Sequence, residues 1–142
     1  QVHHIASLLE LTTLVLDPRD DWANDERFPG ANRVDGGFDR DLADLELGPG
    51  DAIVILTPEH AHDETVLRRA LETPAGYIGM IGSRRKVAAT FERLAADGIG
   101  QQQLSRVRAP IGLDIGAETP AEIALSILAE IVLQRRGPKG TK

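Results

Sequence analysis

Val2, Ile5, Ala6 and Leu9 recur at i, i+3, i+4 and i+7, so the chain opens on the apolar face of a helix, already in mid-element. Thr12 to Leu16 is β-branched and aliphatic and stops at Asp17-Pro18, which predicts a strand ending on an acidic residue. The polar stretch from Arg19 to Arg33, rich in Asp, Asn, Pro and Gly, reads as a long surface excursion. After the Gly48-Pro49-Gly50 turn, Ala52 to Leu56 is apolar at every position, as expected of a central parallel strand covered on both faces. Asp63 to Leu71 predicts a helix with Val66, Leu67, Ala70 and Leu71 inward and a Glu64–Arg68 pair outside. Tyr77 to Ile81 is the next strand, and Val87, Phe91, Leu94 and Ala95 mark the core face of a helix that follows Ser83.

The final helix carries the strongest start signal. Thr119-Pro120-Ala121-Glu122 combines a capping Thr, a first-turn Pro and a capping-box Glu, and Ile123, Ala124, Ile127, Leu128, Ile131 and Val132 form the stripe to be buried. Arg135, Arg136 and Gly137 suit its negative end. Strand alternating with helix predicts an α/β domain of the Rossmann-like, doubly wound kind, with a mostly parallel sheet and helices on both faces. One such domain is expected over residues 1–137, followed by a tail, 138–142, with nothing to bury and expected to be mobile. In dinucleotide-binding units of this fold a Gly-rich turn precedes a strand-end acid by about 20 residues. Counting back from Asp17 puts that turn at or before Gln1, so the first strand and glycine turn are expected to be missing from the sequence.

Composition narrows the function. The 142 residues include no cysteine, which removes zinc-thiolate sites, iron–sulfur ligation and thiol nucleophiles, and suits a cytoplasmic protein. Acidic residues outnumber basic ones 22 to 16, for a net charge of −6, the wrong sign for a phosphate backbone, so nucleic acid is not an expected partner. No apolar run approaches the roughly 20 residues of a bilayer span, and neither a membrane segment nor a signal peptide is expected.

The candidate chemistry gathers where parallel strands end. Asp17 stands where a ribose-binding acid would, with Arg19 behind it for a 2′-phosphate, while a strand-end turn before Pro18 and an exposed loop Arg are the plainer readings of the two. Ser83-Arg84-Arg85-Lys86 puts three cations in the first turn of a helix, each unfavourable against the dipole by about 0.3 to 1 kcal/mol. A bound anion would reverse that sign, and Gly79 to Gly82 would let a ligand come close to the backbone, whereas a solvated basic face is the plainer reading. Thr57 to Asp63 follows the strand before it and contributes Thr57, His60 and His62; with no third ligand in view no metal is expected there, a His bonded to a ligand oxygen or to Asp63 fits better, and plain helix-start chemistry for Asp63 fits better still. Pro110 to Ala117 alternates apolar residues with Gly112, Asp114 and Gly116, which packing alone leaves unexplained. It reads either as a rigid loop along a cofactor or as glycines supplying positive φ. Asp20, Asp21, Asp25 and Glu26 read as a solvated acidic face.

With those blocks in view, the chain resembles the C-terminal Rossmann-type domain of the XdhC/CoxI family, accessory proteins of molybdenum hydroxylases such as xanthine dehydrogenase. The blocks that carry the resemblance are 16–19, Thr57 with His60 and Asp63, 77–86 and 109–124. The resemblance implies a carrier more than a catalyst, one that binds the molybdenum cofactor, protects it while a terminal sulfur is installed with a cysteine desulfurase, and hands it to the hydroxylase. The site it implies comprises Asp17, Arg19, Thr57, His60, Gly82, Ser83, Arg84, Arg85, Gly112 and Asp114. Three departures stand out. Pro58 replaces a His usual in the family, with His62 as the candidate substitute. The family's cysteine-bearing N-terminal domain is absent from this sequence, so no ligation through sulfur is expected here, and the glycine turn is missing. The fold and Asp17 alone leave open an NAD(P)-dependent oxidoreductase with His60 as proton donor, and the Trp22 loop leaves open a docking module for the hydroxylase or for a second copy in a homo-oligomer.

Overall fold

The computed structural model describes residues 1–19, 21–34, 42, 44–57 and 60–137, with only the backbone given at 33, 34, 60 and 61. The elements run α1 (Val2–Leu8), β1 (Leu14–Leu16), β2 (Asn32–Val34), β3 (Ala52–Ile55), α2 (His60–Leu71), β4 (Tyr77–Met80), α3 (Arg84–Ala96), α4 (Gln101–Leu104), β5 (Val107–Arg108) and α5 (Pro120–Arg136). Among the described residues all strand pairings are parallel: β1 with β2, and β4 between β3 and β5. The expected α/β architecture is therefore present, but the strand flanked on both sides is β4, all four residues of which are buried, and not 52–56. No helix among the described residues is long and apolar enough to cross a membrane.

Strand alternation sends successive side chains to opposite faces, and the two cores follow from it. Ile53 and Ile55 of β3 and Ile78 and Met80 of β4 meet Val66, Leu67, Ala70 and Leu71 of α2 and Val87 and Leu94 of α3. Val54 and Tyr77 face the other way, onto Ile5 and Ala6 of α1 and Ile127, Leu128 and Ile131 of α5. Helices thus cover both faces of the sheet, as the amphipathic patterns of α2 and α5 require. Two side chains in the stripes expected of α1 and α3 depart: Leu9 follows the end of α1 and is exposed, and Ala95 points to solvent while Thr90 takes a buried place on α3. The Glu64–Arg68 pair forms at 3.5 Å, and Glu64 also meets Arg93 Nε of α3 at 2.9 Å.

The excursion after Asp17 is more ordered than its composition suggests. It returns as β2, which composition conceals because three residues of Asn-Arg-Val carry no alternation that a reader could detect. His3 Nε2 donates to the Pro29 carbonyl at 2.9 Å, leaving Nδ1 to accept from the Thr13 hydroxyl at 2.6 Å, so α1, β1 and the excursion are tied together. Asp21, Asp25 and Glu26 are exposed, as a solvated face demands, whereas Asp20 and the tail 138–142 lie outside the described residues.

At the opposite end of the sheet, Arg106 closes α2. Its guanidinium donates to the carbonyls of Leu71 at 3.0 Å, Thr73 at 2.9 Å and Ala75 at 3.1 Å, placing a cation at a helix C-terminus and fixing the approach to β4. Arg106→Met keeps the aliphatic stem and leaves three carbonyls to water or to nothing. It is expected to lower stability by about 1–3 kcal/mol, measurable as a fall in the urea midpoint. A midpoint equal to wild type would show that solvent replaces the guanidinium without loss.

Candidate functional site

The carboxyl ends of β3, β4 and β5 form one crest because the ladders continue past them, while β1 pairs with β2 in a sheet of its own among the described residues. β3 and β4 are in register with Ile55 opposite Met80, Ile81 N donates to the Ile55 carbonyl at 3.0 Å, and Ile111 N donates to the Met80 carbonyl at 3.0 Å. Thr57, Gly82 to Arg85 and the Ile111–Gly112 turn therefore sit beside one another. In doubly wound folds ligands bind outside such strand ends.

Ser83 caps α3 as its position predicts, with Lys86 N donating to Ser83 Oγ at 3.3 Å. The first turn holds Arg84, Arg85 and Lys86 and no acidic residue. The guanidiniums of Arg84 and Arg85 are exposed and make no hydrogen bond or ion pair with the described residues. Three cations thus stand at the positive end of a helix dipole, with two of them uncompensated.

Thr57 donates its hydroxyl hydrogen to Asp63, which is 6% exposed and lies in the first turn of α2, where a carboxylate complements the dipole. Asp63, Ile81, Lys86 and Arg93 line a cleft of about 180 Å³ between α2 and α3. Thr57 is accordingly bound into the helix start. Pro58 lies outside the described residues, as does the side chain of His60, while His62 is exposed. No group of three or more potential metal ligands occurs among the described residues.

Asp17 does end β1, and its carboxylate is engaged by Arg19: the backbone N and Nε donate to Oδ1 at 2.9 Å each, and a terminal nitrogen donates to Oδ2 at 2.8 Å. The hydrogen bonds from the Arg19 side chain hold its pKa below the ordinary carboxylate value. The Arg19 guanidinium also lies over the Trp22 ring, 4.2 Å from its centroid, and that of Arg27 lies 3.9 Å from the same centroid.

In the loop after β5, both glycines have positive φ, +94° at Gly112 and +71° at Gly116. Packing does explain Gly112, contrary to the expectation from sequence, because Ser126 of α5 occupies the space a Cβ would need. The same correction applies at Gly79, where the Ile111 side chain fills the gap expected for a ligand, with its Cγ1 2.6 Å from the position of a Cβ; at Gly82 a Cβ would only touch the Val87 and Lys86 side chains, at 3.7 and 3.9 Å. Asp114 is exposed and makes no hydrogen bond or ion pair with the described residues.

Tyr77 and Glu130 were not singled out by the sequence. Glu130 Oε2 accepts from the buried Tyr77 hydroxyl at 2.6 Å and from Gly112 N at 2.9 Å. Burial first, then the hydrogen bond to Glu130, pushes the Tyr77 phenol far above its ordinary pKa. A signal did exist: Glu130 falls seven residues after Ile123 and three after Ile127, on the apolar stripe, where an acid needs a partner.

Parallel strands with helices on both faces define a doubly wound domain of the Rossmann class, with a cationic helix start on its crest. The profile of the XdhC Rossmann domain matches residues 1–131, and the chain belongs to that family. It is 31% identical over 134 residues to a probable xanthine dehydrogenase component of Bacillus subtilis strain 168, covering 94% of this chain and 38% of that protein. It is 27% identical over 106 residues to the molybdenum cofactor insertion chaperone PaoD of Escherichia coli K12, covering 70% of this chain and 33% of the other. A crystal structure described as a xanthine dehydrogenase from Bacillus halodurans superposes with a TM-score of 0.79 at 29% identity, over 98% of this chain and 40% of that one. The chain thus spans about two fifths or less of the length of these relatives.

Proposed function

We propose that this chain serves molybdenum hydroxylases as an accessory domain, holding the molybdenum cofactor, or a related phosphate-bearing ligand, as cargo at the crest. The observation that carries this reading is the first turn of α3, where Arg84 and Arg85 stand uncompensated at the positive end of a 13-residue helix. A phosphate there turns an unfavourable arrangement into charge-assisted hydrogen bonds. Asp17 is the acceptor for a hydroxyl-bearing group, and Asp114 and Gly112 flank the ligand on the crest, with Thr57 bound into the neighbouring helix start. The names borne by PaoD and by the Bacillus subtilis relative support cargo of this kind and a molybdenum hydroxylase as recipient. A cysteine desulfurase belongs to the same proposal. The chain has no cysteine to offer the metal, so holding falls to its cations and acceptors.

Equilibrium binding of the purified chain to molybdenum cofactor, to NAD(H) and to NADP(H) tests the reading. Cofactor binding is expected, with affinity falling about 100-fold or more in the Arg84→Ala/Arg85→Ala double variant, since two charge-assisted contacts are lost. Unchanged affinity in that variant would remove the helix start from the site. Binding of nicotinamide nucleotides alone would favour an oxidoreductase instead.

A further inference from the structure

Three successive amides anchor the start of the crest loop: Ile111 N on the Met80 carbonyl at 3.0 Å, Gly112 N on the Glu130 carboxylate at 2.9 Å, and Leu113 N on the Ser126 carbonyl at 3.2 Å. Two of the acceptors are backbone and would be supplied by any sequence with this fold. The middle one is a side chain, and an unfavourable one to place there. Glu130 is half-buried on the packed face of α5, where an apolar residue would serve packing better unless the acid holds something in place. Among the described residues it holds two donors through a single oxygen, the Tyr77 hydroxyl and Gly112 N. Tyr77 is itself 2% exposed and is the first residue of the central strand β4, so the Glu130 oxygen is located by a rigid part of the sheet. The chain of contacts runs from β4 through Tyr77 and Glu130 to the turn that leads to Asp114.

We propose that Tyr77 and Glu130 are positioning residues, a latch that sets the Gly112 turn and thereby places Asp114 and its neighbouring backbone on the crest for the bound ligand. The role toward a ligand rests on the binding reading above, while the latch itself does not. Both residues act through the loop.

Amide hydrogen exchange across 111–114, measured beside binding of purified molybdenum cofactor, separates these layers. Glu130→Met is expected to speed exchange of the Gly112 amide about 10-fold or more and to weaken cofactor affinity by a similar factor, because a hydrogen bond to a charged acceptor is lost. Glu130→Gln, whose amide oxygen can accept from both donors, restores slow exchange and most of the affinity. Tyr77→Phe keeps the ring and its packing, frees one side of the carboxylate, and gives an intermediate result; it carries the test should Glu130→Met fail to fold. Exchange at Gly112 unchanged in Glu130→Met, or in Tyr77→Phe where that variant stands in, overturns the latch. Faster exchange with unchanged affinity overturns the positioning role and leaves a purely structural contact. If the wild-type chain binds no cofactor, the binding reading fails and takes the ligand role with it, and the exchange series still decides whether the latch holds the loop.

Discussion

Gly76→Ala is expected to destabilise the chain by about 3 kcal/mol or more. The added Cβ would overlap the Pro49 carbonyl oxygen and stand 3.0 Å from its carbonyl carbon. Those atoms are backbone, so no rotamer change relieves the overlap. The strand start must back away from the 48–51 turn, and that turn is pinned: Gly76 N donates to the Asp51 carbonyl at 3.0 Å, and Asp51 Oδ2 accepts from Gly48 N at 2.7 Å. Separation would break the link that aligns β3 with β4.

Gly50 is the control, because it lies on the same turn as Pro49, has nothing within 4 Å of an added Cβ and has no positive φ. Gly50→Ala is expected to leave stability unchanged or raise it by about 0.4–1 kcal/mol, by restricting the unfolded chain. Urea unfolding of the two variants side by side measures the contrast, and equal midpoints would show that the 48–51 turn yields freely.

Gly112→Ala is expected to cost about 2–5 kcal/mol, for two separable reasons. Its φ of +94° lies where an L side chain is strained by about 1–3 kcal/mol. Its Cβ would also overlap Ser126 Oγ and approach Ser126 Cβ to 3.2 Å and Ile127 N to 3.3 Å. Ser126 cannot swing aside without giving up the hydrogen bond its hydroxyl donates to the Ile123 carbonyl at 2.7 Å. Adding Ser126→Ala removes the overlap and keeps the strain, so the double variant is expected to recover part of the loss, and a double-mutant cycle reads the coupling. Strict additivity would mean that the two residues do not press on each other.

The helices and strands were legible where burial imposes a period. The stripe from Ile123 to Ile131 and the capping box at Thr119 both form as their spacing predicts. Glu122 Oε2 accepts from Thr119 N at 2.9 Å and from Glu118 N at 2.8 Å, and those backbone bonds, Thr119 first, hold the Glu122 carboxyl below its ordinary pKa. Short strands escaped because a two- or three-residue element such as Val107–Arg108 or Asn32–Val34 is shorter than the pattern that would reveal it. The centre of the sheet was misplaced for a related reason: a run such as 52–56 reports burial, while strand order is decided by partners distant in the chain. Of the site, Ser83 and its cations were visible because they contradict the helix dipole. Tyr77 with Glu130 was not, since a pair 53 residues apart shows no local spacing.

Trp22 is the only tryptophan in the chain, and the Arg19 guanidinium that lies over its ring also grips Asp17. Indole emission depends on the charge and polarity next to the ring. A group that displaced Arg19 from the Asp17 carboxylate would move that guanidinium relative to the indole, so the chain's own emission, with no label attached, would report such a displacement.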